Sequence, residues 1–242
     1  VHGRMPSVAT GANLANKDLY YLGVSGDGDT ASIGLGQFSH VIRRRLNMVY
    51  ICENNGTYGL TKGQFSATND KESKNRKGVD NIFESIDLAA LAVQLGAGFV
   101  ARSFSGDKDQ LIPLIRAALS YNGFAFIDVV SPCVTFNNHS ESTKSYEYFR
   151  EHNEAVGFLD VVPENEEITV NYKEGKSIEI DVHDGSKMIL HKLSKNYDPG
   201  NRRKAIGKIN DSREKGEIIT GLIYVDPEEE DLHKVLSTSD KP

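Results

Sequence analysis

The stretch SGDGDTASIGLGQF covers residues 25–38. It has glycines on both sides of Asp27 and a second acid, Asp29, and this acidic turn follows directly after the apolar run 19–25. An apolar, aromatic-rich run that ends at a glycine predicts a buried strand. The next segment, 31–45, has apolar residues at helical spacing and ends in three arginines, which suit the negative end of a helix dipole. The predicted order is therefore a strand, an acidic glycine turn and a helix.

The same alternation continues along the chain. Further strands are predicted at 48–52, 99–104 and 124–130, and further helices at 86–95 and 107–121. Strands that alternate with helices favour a doubly wound α/β fold with a largely parallel sheet. Polar residues 66–80 predict an exposed, mobile loop, with a structured lid as the alternative.

The pattern of predicted helices and strands changes after residue 137. A helical pattern covers 145–156, and strand-like runs cover 168–172, 178–182 and 188–193. We therefore predict a ligand-binding domain at 1–137 and a small α+β C-terminal domain at 138–242.

Composition excludes several classes of function. The net charge is −6, so a nucleic-acid partner is not expected. The two cysteines imply no disulfide framework and fit a reducing, cytoplasmic compartment. The longest apolar stretch, 86–101, contains Asp87 and Gln94, so no membrane span is predicted. The first and last residues, VHGRMPSVATG and STSDKP, predict a fragment of a longer protein.

A second stretch, ENNGTYGLTKGQ at 53–64, follows the strand at 48–52. In a right-handed βαβ unit the carboxyl ends of the two parallel strands lie side by side, and ligands of open α/β sheets bind at that edge. Asp27 and Asn55 are 28 positions apart, which matches the length of one helix and one strand. We expect their side chains to converge.

A carboxylate and an amide oxygen at a glycine-rich turn predict a magnesium site. Magnesium usually takes one or two protein oxygens and completes its shell with water and substrate phosphates. Glycines let backbone N–H groups approach a phosphate, and the following helix points its positive end at the same place. The sequence thus predicts a magnesium–diphosphate site. The alternative for Asp27 is a turn carboxylate that caps the next helix.

These residues resemble a known signature. GDG followed by NN at this spacing is similar to the thiamine diphosphate motif. With YGLTKGQ at 58–64, SPCVTFN at 131–137, HGR at 2–4 and GLIYVDPEEEDLH at 221–233, the chain resembles the beta subunit of 2-oxoacid:ferredoxin oxidoreductases of the 2-oxoglutarate/2-oxoacid type. The resemblance covers essentially the whole chain.

The resemblance implies a role for each motif residue. Asp27, the Asn55 side chain and the backbone oxygen of Thr57 are the expected magnesium ligands. The expected contacts with thiamine diphosphate are Gly26, Gly28 and Asp29 on one side, Gly59 and Leu60 on the other, and His2 at the border. Lys62 is a candidate for attracting the anionic substrate or coenzyme A, with an ordinary surface lysine as the alternative.

The implied reaction is the oxidative decarboxylation of a 2-oxoacid with coenzyme A to an acyl-CoA and carbon dioxide, with 2-oxoglutarate as the first choice. Electrons leave through a [4Fe–4S] cluster to ferredoxin. Thiamine enzymes need a glutamate at the aminopyrimidine ring, and the resemblance assigns it to an alpha subunit. We therefore expect a heterodimer with its active site between the subunits.

Two other classes of protein share part of these motifs. A non-oxidative thiamine diphosphate-dependent decarboxylase or synthase shares the GDG and NN motifs. A non-catalytic nucleotide-binding module would need G-x-G-x-x-G, and the chain has Ala31 where the third glycine belongs.

Cys133 gives the first prediction. The resemblance makes it an iron–sulfur ligand in the Ser-Pro-Cys turn, and such clusters need several thiolates. Cys52 lies inside a predicted strand, so we expect no cluster on this chain and further cysteines upstream of Val1 in the complete protein. Electron paramagnetic resonance and iron analysis of the anaerobically purified full-length protein test this. Cys133→Ser should change the cluster signal and Cys52→Ser should not; an unchanged signal in Cys133→Ser would refute the role.

Overall fold

The structure is a computed structural model that describes residues 2–59, 63–71, 73, 79–131, 168–182 and 187–238. The strands are β1 Leu22–Gly26, β2 Met48–Asn54, β3 Thr57–Tyr58, β4 Gln64–Phe65, β5 Phe99–Phe104, β6 Phe124–Val130, β7 Ser177–Asp181, β8 Lys187–Lys192 and β9 Glu217–Val225. The α-helices are α1 Met5–Ala15, α2 Leu35–Arg43, α3 Leu88–Leu95, α4 Lys108–Ser120, α5 Arg202–Glu214 and α6 Leu232–Leu236. A π-helix covers Gly28–Ile33. Within these ranges no helix is both long enough and apolar enough to cross a membrane.

In the described part of the chain, seven strands form one sheet in the order β1-β2-β6-β5-β9-β8-β7. The pairs β1–β2, β2–β6 and β5–β6 are parallel, whereas β9 runs antiparallel to β5. The register pairs Gly26 with Glu53 and Asn54 with Val130, so the carboxyl ends of β1, β2 and β6 are level. The predicted doubly wound, largely parallel α/β fold is confirmed.

Helices cover both faces of this sheet. On one face Phe38 of α2 packs edge-on against Tyr50 and Phe126, with ring centroids 5.4 and 4.9 Å apart. On the other face Leu114 and Ala118 of α4 lie in one apolar cluster with residues of β2, β5 and β6. Burial of these two apolar layers is the main favourable contribution to folding.

The predicted helix at 31–45 is wrong in one respect, because two helical segments meet at Gly34. A Cβ at Gly34 would lie 2.7 Å from the Asp29 carbonyl oxygen and 2.9 Å from the Gly3 Cα atom. The close approach of the Gly3 backbone therefore requires glycine at this junction. The chain forms the π-helix before Gly34 and α2 after it.

The strand predicted at 168–172 is also wrong. These residues pair with no strand of the sheet, although Ile168, Val170 and Tyr172 pack against an apolar cluster that includes Leu190. The apolar residues at every second position of 168–172 therefore reflect packing of one side of the segment and not hydrogen bonding to a neighbouring strand. The helix predicted at 145–156 lies outside the described residues.

The described part of the C-terminal segment continues the same sheet and core. β9 pairs with β5, and Ala205 and Ile209 of α5 belong to the apolar cluster that contains Phe38. The boundary at residue 137 lies outside the described residues, so the division into domains 1–137 and 138–242 stays a prediction.

A buried ion network ties α3 to the sheet. Arg102 is 6% exposed; its Nε donates to Asp128 Oδ2 at 2.8 Å and its Nη2 donates to Asp87 Oδ1 at 2.6 Å. Arg102 and Asp128 are register neighbours, while Asp87 caps α3 by accepting from Ala90 N. Burial alone would lower the pKa of Arg102, but the two carboxylates raise it. Burial also opposes ionisation of Asp87, and the Arg102 charge outweighs it and lowers the pKa of Asp87.

We predict that Arg102→Met lowers the free energy of unfolding by about 3–5 kcal/mol, because it leaves the buried Asp128 carboxylate and the half-buried Asp87 carboxylate without their counter-charge. Arg102→Lys should recover only part of this loss, since an ammonium cannot donate in the forked geometry of a guanidinium. Urea unfolding monitored by circular dichroism measures the effect.

The control variant is Lys187→Met, which breaks an exposed ion pair with Glu179. It should leave the urea midpoint unchanged, because exposed ion pairs are solvated and contribute little. Equal midpoints for wild type and Arg102→Met would contradict the assigned role.

Candidate functional site at the carboxyl edge of the sheet

Asp27 lies directly after β1 and is 1% exposed. Its Oδ1 accepts from the Asn55 backbone N at 3.2 Å. Its Oδ2 accepts from Thr68 Oγ1 at 2.7 Å and from the Ser66 hydroxyl. Asp27 occupies the position before the π-helix, but its side chain makes no capping bond. The buried carboxylate is therefore held by the neighbouring loops, and the capping alternative is wrong.

Asn55 follows β2, and its backbone N contacts Asp27 Oδ1, while the convergence of the two side chains stays a prediction. The Asn55 Oδ1 accepts from Thr57 N at 2.9 Å, which directs the amide oxygen toward the same turn. Ser66 N donates to the backbone oxygen of Gly56 at 3.0 Å. The carbonyl that accepts this bond is therefore that of Gly56 and not that of Thr57, the expected metal ligand. Gly56 has a φ of +73°, which favours glycine, and the turn can therefore reverse tightly. The structure brings together Asp27, Asn55 and Thr57.

The chemistry of these donors fits magnesium. Within the described ranges no three His, Cys, Asp or Glu side chains gather as a metal site. One carboxylate, one amide and one backbone carbonyl would leave several positions of an octahedron for water and phosphate oxygens, which is how magnesium is usually held. The residues present fit a metal that arrives with a diphosphate. Their roles as ligands stay a prediction.

The predicted phosphate-binding glycines differ in their surroundings. Gly26 is exposed, and among the described residues a Cβ there would meet only the Glu53 carbonyl oxygen, at 4.0 Å. Gly28 is buried under Tyr58, whose hydroxyl donates to Gly28 O at 3.1 Å. A Cβ at Gly28 would lie 2.4 Å from the Tyr58 ring. Gly59 follows Tyr58 and is half-buried. The backbone is open at Gly26, whereas Gly28 is needed for the close approach of Tyr58.

Asp29 is engaged by the N-terminal segment. Its Oδ1 accepts from Gly3 N at 2.6 Å and lies 3.2 Å from His2 Nδ1, and its Oδ2 accepts from Ser25 Oγ at 2.8 Å. The His2 side chain is 87% exposed. Asp29 therefore links the N-terminal residue Gly3 to the acidic turn by a hydrogen bond. The predicted contacts of Asp29 and His2 with the cofactor stay predictions.

Three predicted site residues lie outside the described part of the chain. They are Leu60, Lys62 and Cys133. Their predicted roles stay predictions.

The sequence motifs do not predict Ser66 and Thr68, the two residues whose hydroxyl groups contact Asp27. The expectation of an exposed, mobile loop at 66–80 is wrong for its described beginning, because Ser66 is buried. Asn81 Nδ2 donates to the carbonyl oxygens of Asn69 and Asp70, both at 3.1 Å, and these bonds hold the same segment. The available signal was the pair of hydroxyl residues Ser66 and Thr68 two positions apart in a polar segment, which is typical of a turn in which a serine side chain accepts from a backbone N–H, as Ser66 Oγ does from Thr68 N.

The first asparagine of the NN pair was also overlooked. Asn54 Nδ2 donates to Asp128 Oδ1 at 3.1 Å, and Asn54 Oδ1 accepts from Thr68 Oγ1 at 2.9 Å. Asp128 is in turn bound to Arg102. Asn54 therefore joins the loop around Asp27 to the ion network of the sheet.

A cavity lies at the opposite edge of the sheet. Its volume is about 240 Å³, and its lining includes Tyr21, Asn47, Met48 and Tyr121, at the amino ends of β1, β2 and β6. It is thus separate from the Asp27 turn.

Curated relatives of the chain include beta subunits. The chain is 42% identical over 139 residues to the 2-oxoacid:ferredoxin oxidoreductase subunit beta of Sulfolobus sp, a match that covers 57% of this chain and 46% of that protein. It is 38% identical over 144 residues to the 2-oxoglutarate oxidoreductase subunit KorB of Mycobacterium tuberculosis, covering 58% of this chain and 38% of that protein. The matches therefore span less than half the length of these relatives.

A solved structure resembles the whole chain. It is a 2-oxoglutarate:ferredoxin oxidoreductase from Magnetococcus marinus with 2-oxoglutarate, coenzyme A and succinyl-CoA bound. The TM-score is 0.69 at 25% identity, and the similarity covers 100% of this chain and 70% of that one.

The matching family model is the C-terminal TPP-binding domain of thiamine pyrophosphate enzymes, which aligns with residues 1–129. That range contains both turns that converge on Asp27, together with the loop that supplies Ser66 and Thr68. The chain belongs to this family of thiamine pyrophosphate-binding domains.

Proposed function

We propose that this chain is the thiamine diphosphate-binding part of the beta subunit of a 2-oxoacid:ferredoxin oxidoreductase. The observation that carries the proposal is the juxtaposition of Asp27 and Asn55, with Asn55 N 3.2 Å from Asp27 Oδ1, at the level ends of two parallel strands. Similarity to the Sulfolobus beta subunit over 139 residues supports it.

In this proposal Asp27 and the Asn55 side chain hold magnesium, and the Thr57 carbonyl is the third protein ligand. Their negative charge and dipoles anchor the metal that neutralises a diphosphate. Among the described residues, the space next to the Gly26 backbone leaves room for the phosphates. Bound thiamine diphosphate supplies the carbanion stabilisation needed to cleave a 2-oxoacid. This chain contributes the anchoring and orientation of the cofactor.

The proposed reaction converts a 2-oxoacid and coenzyme A to an acyl-CoA and carbon dioxide, and ferredoxin receives the electrons. We put 2-oxoglutarate first because the M. tuberculosis relative is named for it and the Magnetococcus structure holds 2-oxoglutarate, coenzyme A and succinyl-CoA. An alpha subunit supplies the glutamate for the aminopyrimidine ring. A cytoplasmic location completes the proposal, since ferredoxin-linked chemistry needs a reducing compartment.

We predict that Asp27→Ala and Asn55→Ala each abolish magnesium-dependent binding of thiamine diphosphate, because each removes one of the few protein oxygens available to the metal. Isothermal titration calorimetry with magnesium and cofactor measures the affinity. Asp211→Ala is the matched control, because Asp211 lies on the exposed side of α5. Unchanged affinity in both site variants would refute the proposed site.

We also predict that this chain alone does not reduce viologen dye in the presence of a 2-oxoacid. Co-expression of the full-length protein with an alpha subunit should restore the activity, and Asp27→Ala should remove it again. Turnover by the isolated chain would show that no alpha subunit is required.

A further inference from the structure

We propose that Ser66 and Thr68 are positioning residues that select the metal. Their hydroxyl groups occupy Oδ2 of Asp27, so that the carboxylate offers only Oδ1 to a cation and the site favours magnesium over the larger calcium. This inference rests on the proposed magnesium–diphosphate site and specifies how its carboxylate is presented.

The donor role of Ser66 follows from its partners. Ser66 is buried, and its Oγ accepts from Thr68 N at 3.2 Å. The Ser66 hydroxyl proton is therefore available for Asp27 Oδ2, the carboxylate oxygen beside it. A hydrogen bond to a carboxylate is stronger than one between neutral groups, which favours this assignment.

The donor role of Thr68 follows from the orientation of Asn54. Asn54 uses its Nδ2 to donate to Asp128 Oδ1, so its Oδ1 faces Thr68 as an acceptor. The Thr68 hydroxyl lies 2.7 Å from Asp27 Oδ2 and 2.9 Å from both Asn54 Oδ1 and Ser66 Oγ. The carboxylate and amide oxygens only accept, and the Ser66 proton is directed to Asp27. Thr68 is therefore a donor toward the site, and the carboxylate is its closer partner.

Hydrogen bonds to residues of the sheet fix the position of Thr68 through Asn54. Asp128 binds both Asn54 and the buried Arg102, and Arg102 is held on its other side by Asp87. Rearrangement of this network would separate buried opposite charges, which is unfavourable. Ser85 Oγ also donates to the Thr68 carbonyl at 2.8 Å. Thr68 therefore cannot turn away from Asp27 without loss of several hydrogen bonds.

The two carboxylate oxygens are thus unequal. Oδ2 has two hydroxyl donors, whereas Oδ1 has the Asn55 N–H at 3.2 Å. A carboxylate that presents one oxygen suits the octahedral shell of magnesium, whereas calcium accepts larger shells that often include both oxygens of one carboxylate. Loss of the donors frees Oδ2 and should weaken this preference.

The test is calorimetric titration of the full-length protein with thiamine diphosphate in the presence of either magnesium or calcium. Thr68→Val and Ser66→Ala each remove one hydroxyl, and Thr68→Ser keeps it. We expect the first two to weaken magnesium-dependent binding roughly 10- to 100-fold, the range typical of residues that orient metal ligands. Calcium-dependent binding should change less, so the ratio of the two affinities should fall. Thr68→Ser should restore the ratio.

Thr220→Val is the matched control. Thr220 is fully buried, and its hydroxyl bonds the Tyr172 hydroxyl at 2.9 Å, distant from Asp27 in the sheet. This variant should lower thermal stability without any change in the magnesium-to-calcium ratio.

The outcomes separate the inference from the function on which it rests. If wild type shows no metal-dependent cofactor binding, the proposed function fails and the inference fails with it. If wild type binds and Asp27→Ala does not, but Thr68→Val and Ser66→Ala keep the wild-type ratio, the inference alone is overturned. Ser66→Ala removes a single oxygen atom and provides the test should Thr68→Val fail to fold.

Discussion

The burial of the Asp27 carboxylate is the constraint on which the rest of this site depends. A carboxylate that is 1% exposed is unfavourable unless donors or a cation compensate its charge. The protein supplies donors from two directions, the turn after β2 and the loop that follows β4. These segments come together because they share Asp27 as an acceptor. A divalent cation at Oδ1 would complete the compensation that the hydroxyl groups begin at Oδ2.

The parallel sheet makes this meeting possible. β1, β2 and β6 end at the same level, so residues that follow them reach one edge without long connections. The same register places Asn54 and Asp128 within hydrogen-bond distance and sets Arg102 beside Asp128. The charge network in the sheet and the candidate metal site are therefore parts of one polar system. This system connects the core to the carboxyl edge of the sheet.

The sequence allowed the fold and the centre of the site to be predicted, because periodicity and strand–turn order carry that information. The strands at 99–104 and 124–130 have the predicted bounds, and the turns that carry Asp27 and Asn55 are neighbours, joined by the bond from Asn55 N to Asp27 Oδ1. Ser66 and Thr68 were not predicted, because their role depends on how a polar loop folds back over the sheet. The pattern at 168–172 predicts a strand because packing on one side gives the same alternation of apolar and polar residues as strand pairing. Such tertiary contacts leave little trace in local sequence.

The most direct test of this account is a crystal structure of the full-length protein with magnesium and thiamine diphosphate. The metal is expected about 2.0–2.1 Å from Asp27 Oδ1 and from Asn55 Oδ1. Asp27 Oδ2 should stay hydrogen-bonded to Ser66 and Thr68. A diphosphate bound at another edge of the sheet, or a metal that does not contact Asp27, would contradict it.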